Sequence, residues 1–426
     1  MARTLRVAAL QLRAHDRRSF EQAFRGIERS VDDAAADADL VVLPEGTVPA
    51  YVLGDSDVDD IGIDRAVARL CEIAARRAAV IVAGVATRDG SQLYNAGVVI
   101  DSDGRVAGRA DKVFLWHFDR RWFAAGTQVA PIHTSIGRLG VLVCADGRMP
   151  EIARALVDGG AEMLVMPTAW VSSGRDPNAL ENPIADLLAP MRAYENGVPF
   201  AAADKCGVER EMVLYCGKSQ ILSDSGDVLA IAGEREPQCI VATVELGDPH
   251  PSRVALPEPA PRETAARSVL RVAVSAHALP GDIDDRLRIL ECEHVLAPGA
   301  QPQLAALDAT IPVAIVDDGV MHDPAGLAAF RRAGYRLALW ATRSDAWTER
   351  IARARAGEAR MYVVVLDAQA GRAFVVDPDY AIVCGTFDGY RLAACAIDPA
   401  KTAQTLVAPG TDVAEGLARV HAMTMR

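Results

Sequence analysis

A layered α/β fold is predicted for the first 245 residues. Three observations lead to it. Short apolar segments alternate with segments of helical spacing, the apolar segments end in turn residues, and half of the chain (50%) is hydrophobic, enough to bury a sizeable core.

The elements follow in order. Leu5–Leu12 is an apolar strand, and Ser19–Ala36, rich in Ala, Glu and Arg, has helical spacing. Ala38–Leu43 is a short strand ending in Pro44-Glu45-Gly46. Asp64–Ala78 is a second helix, followed by the strand Ala79–Val85. Leu93–Ile100 and Arg105–Ala110 flank Asp101-Ser102-Asp103-Gly104, a hairpin turn signal. Gly137–Cys144 is a buried strand, Pro150–Gly159 a helix and Glu162–Pro167 a strand. Pro183–Gly197 is helical, and three strands follow near 199–204, 217–223 and 227–245.

Residues 248–268 are a proline-dense linker without periodicity, which separates a domain at 1–247 from a second segment at 269–426. That segment repeats the first. Leu296-Ala-Pro-Gly299 parallels Phe123-Ala-Ala-Gly126, and Ile311–Ala341 parallels Leu139–Ala169. Arg353–Asp367 parallels Arg192–Asp204, and Arg372–Asp398 parallels Lys218–Leu246. The expectation is a degenerate partial copy of the first domain's C-terminal half. Val316-Asp317-Asp318 stand where a cysteine would fall, so the copy is read as non-catalytic.

Composition excludes several classes of function. The net charge is −12 and the pI about 5.2, which argues against an extended nucleic-acid surface. The apolar run near the start is broken by Gln11 and Arg13, and no window of about 20 apolar residues exists, so neither a secretory leader nor a membrane span is expected. The eight cysteines lack C-x-x-C spacing and read as free thiols, which points to the cytoplasm. No metal cluster, Walker loop or dinucleotide motif appears, so neither metal nor organic cofactor is expected.

Three residues stand out for chemistry. Cys144 is delivered by Val141-Leu142-Val143 to a strand end, where α/β folds collect reactive groups, although alone it would be a small core hydrophobe. Glu45 ends the strand LVVLPEG, as a turn carboxylate or as a general base raised towards the working pH. Lys112 follows VAGRAD, as a surface lysine or as a fixed cation for an oxyanion.

VVLPEG, DKVFLW and VLVCADGRMPEIAR resemble the motifs of the nitrilase superfamily, the carbon–nitrogen hydrolases, in order and in rough spacing. Tyr94-Asn95, Phe123-x-x-Gly126, Gly160-Ala161, Arg192-Ala193-x-Glu195-Asn196 and Gly217-Lys218-Ser219-Gln220 extend the resemblance over residues 4–246. It implies a four-layer αββα sandwich, here followed by the degenerate partial repeat, and a homodimer, or a pseudo-dimer made through the C-terminal repeat. It also implies the catalytic roles. Cys144 attacks as a thiolate, Glu45 moves the proton, and Lys112 and the Ala145 N–H stabilise the oxyanion of a thioester-forming step. The lysine is expected to lower the thiol pKa. Asp119 stands where the family usually has a second glutamate, about 1.5 Å shorter in reach.

Asp146 after the nucleophile resembles the amidase and carbamoylase branches rather than true nitrilases, although it is equally suited to capping the helix at Pro150. The function implied is therefore hydrolysis of a small amide or N-carbamoyl compound, releasing ammonia or an amine. Acyl transfer from the same thioester, nitrile hydrolysis and a non-catalytic scaffold are the alternatives. Trp170, Tyr51 and Arg148 are placed as pocket residues by their nearness to the motifs.

Overall fold

The computed structural model describes residues 3–54, 58, 60–247, 258–262, 269–279, 281–298, 304, 307–343, 345–387, 389 and 391–424. Most of the expected linker lies outside them. The chain forms two units. Unit 1 is Met1–Ser252 with Ala408–Thr411 and Glu415–Arg426, and unit 2 is Arg253–Val407 with Asp412–Ala414.

In unit 1, β1 (Arg3–Arg13), β2 (Leu40–Val42), β3 (Val80–Asp89), β4 (Gln92–Ile100) and β5 (Val106–Asp111) lie side by side. Beyond β1 the same sheet adds β10 (Lys205–Glu209) and β11 (Val213–Cys216), and β14 (Gln238–Leu246) also pairs with β1. The second sheet runs β13 (Val228–Ile231), β12 (Gln220–Leu222), β9 (Phe200–Ala203), β8 (Met163–Pro167), β7 (Gly137–Val141), β6 (Ile132–Thr134).

The period of two along each strand builds the layers. On β1, Ala8, Leu10 and Leu12 face a core shared with Phe20, Phe24, Ile27 and Val31 of helix Phe20–Ala35 and with Leu70 and Ile73 of helix Asp60–Arg77. The alternate residues Leu5, Val7 and Ala9 face Leu139, Val141, Met163 and Val165 of the other sheet. Helices Pro150–Asp158 and Ala189–Asn196 pack on β7 and β9.

The expected strands and helices are present, with three differences. Hairpin β10–β11 lies in the stretch between the strands expected near 199–204 and 217–223, with Lys205 and Glu209 buried as an ion pair at 3.0 Å. The strand read over 227–245 is two strands, β13 and β14. β7 ends at Val141, three residues before Cys144, because the Asp146 carboxylate takes the Val143 N–H (3.0 Å) out of the strand ladder.

The described residues of unit 2 form a three-stranded and a five-stranded sheet. In one, β15 (Leu270–Val274) lies between β16 (His294–Leu296) and β22 (Ala393–Ile397). The other runs β17 (Val313–Val316), β18 (Leu337–Thr342), β19 (Tyr362–Asp367), β20 (Arg372–Val376), β21 (Ile382–Gly385). Directions and registers match β2, β1, β14 and β7, β8, β9, β12, β13 of unit 1. The bulge between Ile221 and Leu222 recurs between Val375 and Val376. The inter-sheet core of unit 2 uses corresponding positions: Leu270, Val272 and Val274 stand for Leu5, Val7 and Ala9, and Leu337 and Leu339 for Met163 and Val165.

The repeat therefore begins earlier than the sequence comparison placed it, since β15 and β16 match the N-terminal strands β1 and β2. Among the described residues nothing matches β3–β6 or β10–β11; the chain passes from Leu296 to Val313 where unit 1 passes from Val42 to Gly137. The strand registers also move the alignment by two residues, so that Asp318 stands at the position of Cys144. A buried arginine confirms this independently. Arg192 Nε donates to the carbonyl of Gly147 and Arg355 Nε to that of Met321, both at 3.0 Å and both three residues past the compared position.

Candidate active site

Unit 1 brings Glu45, Lys112, Asp119 and Cys144 together from three loops, with Lys112 and Asp119 on the one that follows β5. Glu45 lies just past β2, tied to the end of β8 by its N–H to the Thr168 carbonyl (3.1 Å). β3 passes close against this loop at Gly84, where a Cβ would come within 2.4 Å of Glu45 Cα, so only glycine fits. Lys112 follows β5. Its N–H bonds the Asn95 carbonyl, and its carbonyl accepts from the Gly126 N–H, both at 2.8 Å. Cys144 opens a 3-10 turn, Cys144–Arg148, in a left-handed conformation with φ of 46°. A non-glycine residue held there is strained in the manner of an active-site turn.

Glu45, Lys112 and Asp119 are fully buried. Lys112 Nζ lies 2.7 Å from Glu45 Oε1 and 2.6 Å from Asp119 Oδ2. Asp119 Oδ2 is itself fixed by the Trp116 N–H (2.9 Å), and Glu45 Oε1 also accepts from Asn95 Nδ2 (2.6 Å). The shorter Asp119 thus reaches the lysine directly.

The electrostatics follow from burial and charge. Burial raises the pKa of Glu45 above the ordinary carboxylate value; Lys112 opposes and Asp119 adds to the rise. Burial disfavours the Lys112 ammonium, but Asp119 and Glu45 outweigh it and hold its pKa well above the usual lysine range. Burial and then Glu45 push the Cys144 thiol up, against the pull of Lys112, Thr168 and the Ala169 N–H. The lysine lowers the thiol pKa as expected, but the loss of water and the charge of Glu45 outweigh it. Burial therefore favours the neutral thiol over the thiolate, and attack calls for a base. Glu45 Oε2 is buried without a hydrogen-bond partner, and Cys144 lies next to this carboxylate.

The proposed pocket residues fall in different places. Ala145 is buried directly after the nucleophile. The Tyr51 ring stands 5.7 Å from Lys112 Nζ and meets Phe118 (5.3 Å) and Tyr215 (6.3 Å); Phe118 in turn meets Trp122 (5.6 Å), making an aromatic wall beside the cation. Arg148 stacks on Trp116 at 4.5 Å. Trp170 is entirely buried, its backbone N–H bonded to Asp204 Oδ1 (2.8 Å).

Asp146 does not cap the helix at Pro150. Its Oδ1 accepts from the N–H groups of Val113 (3.0 Å) and Phe114 (2.7 Å), and its Oδ2 from Val143, so it clamps the chain after Lys112 to the chain before Cys144. Sequence reasoning missed this role and that of Asn95 at Glu45. Asn95 carried a signal, a polar residue inside an apolar strand. No group of three metal-ligating side chains occurs among the described residues, and no helix there is long and apolar enough to cross a membrane.

Residues 6–252 match the carbon-nitrogen hydrolase family. A probable nitrilase of Schizosaccharomyces pombe is 30% identical over 223 residues, covering 50% of this chain and 78% of that protein. An (R)-stereoselective amidase of a Pseudomonas species is 26% identical over 214 residues, with 50% and 75% covered. A variant of the amidase from Nesterenkonia sp. AN1, solved with the acetamide moiety of fluoroacetamide added at its active-site cysteine, superposes with a TM-score of 0.51 at 27% identity, covering 57% of this chain and 90% of that one. With strand order, motif order and these likenesses in agreement, the chain belongs to the carbon–nitrogen hydrolases of the nitrilase superfamily, in its amidase-like branch.

Proposed function

We propose that the chain hydrolyses a small amide or N-carbamoyl compound through a thioester on Cys144. The observation that carries this is one buried ammonium, Lys112, clamped between Glu45 and Asp119 with a buried thiol beside the glutamate. The Cys144 proton passes to Glu45 as sulfur attacks the carbonyl carbon. The negative charge that develops on oxygen is met by Lys112 and the Ala145 N–H. Collapse of this intermediate expels the nitrogen, which leaves with the proton from Glu45 as ammonia or an amine. Glu45 then takes a proton from water, the resulting hydroxide cleaves the thioester, and the acid and the free thiol are released. Asp119 is a positioning residue that fixes the lysine. The wall of Tyr51, Phe118, Trp122 and Tyr215 suits an apolar acyl portion.

Unit 2 is proposed to be a non-catalytic second copy. Asp318 replaces the nucleophile, and its Oδ1 is occupied by Trp340 Nε1 and Thr342 Oγ1, both at 2.8 Å. By sequence, Gly299, outside the described residues, takes the place of Glu45, and among the described residues the strands that carry Asn95 and Lys112 have no counterpart.

The test is intact mass after incubation with amides, N-carbamoyl compounds and nitriles, for wild type and Cys144→Ala. An acyl adduct or ammonia release only in the wild type supports the reading and identifies the acyl group. Turnover in Cys144→Ala overturns it, and acyl transfer to an added amine in preference to water replaces hydrolysis by transferase chemistry.

A further inference from the structure

After unit 2 the chain returns to unit 1 with Ala408–Thr411 and Glu415–Arg426. Three of the residues in these segments, Thr411, Gly416 and Arg419, meet the stretch between Lys112 and Gly126. The fully buried Thr411 accepts, at its Oγ1, the N–H of His117 at 2.6 Å. His117 sits two residues before Asp119 in a left-handed conformation (φ 45°), on the turn whose Trp116 N–H holds the Asp119 carboxylate. Without Thr411 this N–H loses its acceptor, at a cost typical of an unsatisfied buried donor.

From helix Val413–Thr424, Arg419 donates to the Gly126 carbonyl (2.7 Å), and the Gly126 N–H in turn bonds the Lys112 carbonyl. Gly416 faces Phe114, and a Cβ there would stand 2.3 Å from the ring. Phe114 is two residues from Lys112, and its N–H is held by Asp146. Gly416 and Val420, one turn apart, put the buried stripe of the helix on this segment, around a cavity of about 130 Å³ also lined by Val113, Leu115 and Arg120.

We propose that residues 408–424 are a positioning element of the active site, with Thr411, Gly416 and Arg419 holding the loop that sets Lys112 and Asp119. The inference rests on the reading of Lys112 as the catalytic cation. Because Thr411, Arg419 and Gly416 touch three separate points of the segment, displacing the clasp moves the ammonium without removing it. A displacement of about 1 Å at such a group costs on the order of 100-fold in rate.

The experiment uses the full chain with Thr411→Val, Thr411→Ser, Arg419→Met, Gly416→Ala and, for reference, Lys112→Met. It measures kcat and KM on the amide found in the mass screen, the rate of Cys144 alkylation by iodoacetamide against pH, and the thermal midpoint. Arg419 is exposed, so its variant keeps the fold testable even where Gly416→Ala does not fold. The expected result is a fall in kcat of tenfold or more for Thr411→Val and Arg419→Met, KM within twofold, a changed pH profile of alkylation and recovery with Thr411→Ser. Wild-type kcat in Thr411→Val and Arg419→Met, with Lys112→Met inactive, overturns the proposal alone. Wild-type kcat in Lys112→Met overturns the reading of the site beneath it.

Discussion

Replacing Asp119 by Asn removes one charge at nearly constant shape. In the folded site the carboxylates of Glu45 and Asp119 bond the same ammonium nitrogen, at 2.7 and 2.6 Å. Their bonded oxygens therefore lie no more than about 5 Å apart, and at an effective dielectric constant of about 20 their repulsion is about 3 kcal/mol. That repulsion is one of the forces raising the Glu45 pKa. In the variant it disappears, Glu45 holds its proton less tightly, and it becomes a weaker base.

Glu45 works as a base only when ionised, so activity falls as pH drops through its pKa. Lowering that pKa moves the acid limb of kcat/KM to lower pH, by more than about one pH unit for an interaction of this size. The plateau rate falls as well, by about 10- to 100-fold, because the base is weaker and Lys112 keeps a single anchor. The assay is the pH profile of ammonia release from the amide found by mass screening. An acid limb that stays in place or moves upward in Asp119→Asn refutes the argument.

Further outcomes follow from the same geometry. Burial lifts the Asp146 pKa to about 6 against the pull of its three backbone N–H donors. Its contribution to stability is therefore fully present below about pH 4 and is lost as pH rises through about 6, a change of about 3 kcal/mol; Asp146→Asn should flatten this part of the stability–pH curve in denaturant titrations. Asp146→Ala leaves three buried N–H groups without their acceptor and should cost at least about 3 kcal/mol by the same titrations. Tyr51→Ala empties a fully enclosed site in the aromatic wall, and should lower stability by about 3–5 kcal/mol and raise KM. In a Cys144→Ala background, Asp318→Cys should acquire no acyl adduct by intact mass, because no counterpart of the strand that carries Lys112 occurs among the described residues of unit 2; an adduct at residue 318 would contradict the reading of unit 2.

Local patterns in the sequence predicted the α/β layering and the repeat, and the resemblance of the motifs implied the αββα arrangement and the roles of Glu45, Lys112 and Cys144. Apolar runs build β1 to β3, and Glu45 and Cys144 each sit just past an apolar strand. Tertiary structure alone decided which charges are buried and what they bond there. Lys205 and Glu209 look like solvated loop residues until burial joins them, and Asp146 looks like a helix cap until the chain after Lys112 arrives to donate to it. Whether Asp119 reaches Lys112, and the thiol form of Cys144, were likewise decided by distance and loss of water. The true start of the repeat at Leu270 and the place of Asp318 came from strand register. Hydrogen bonding across a sheet fixes which residues stand side by side, and a one-dimensional comparison with segments of unequal length leaves that open.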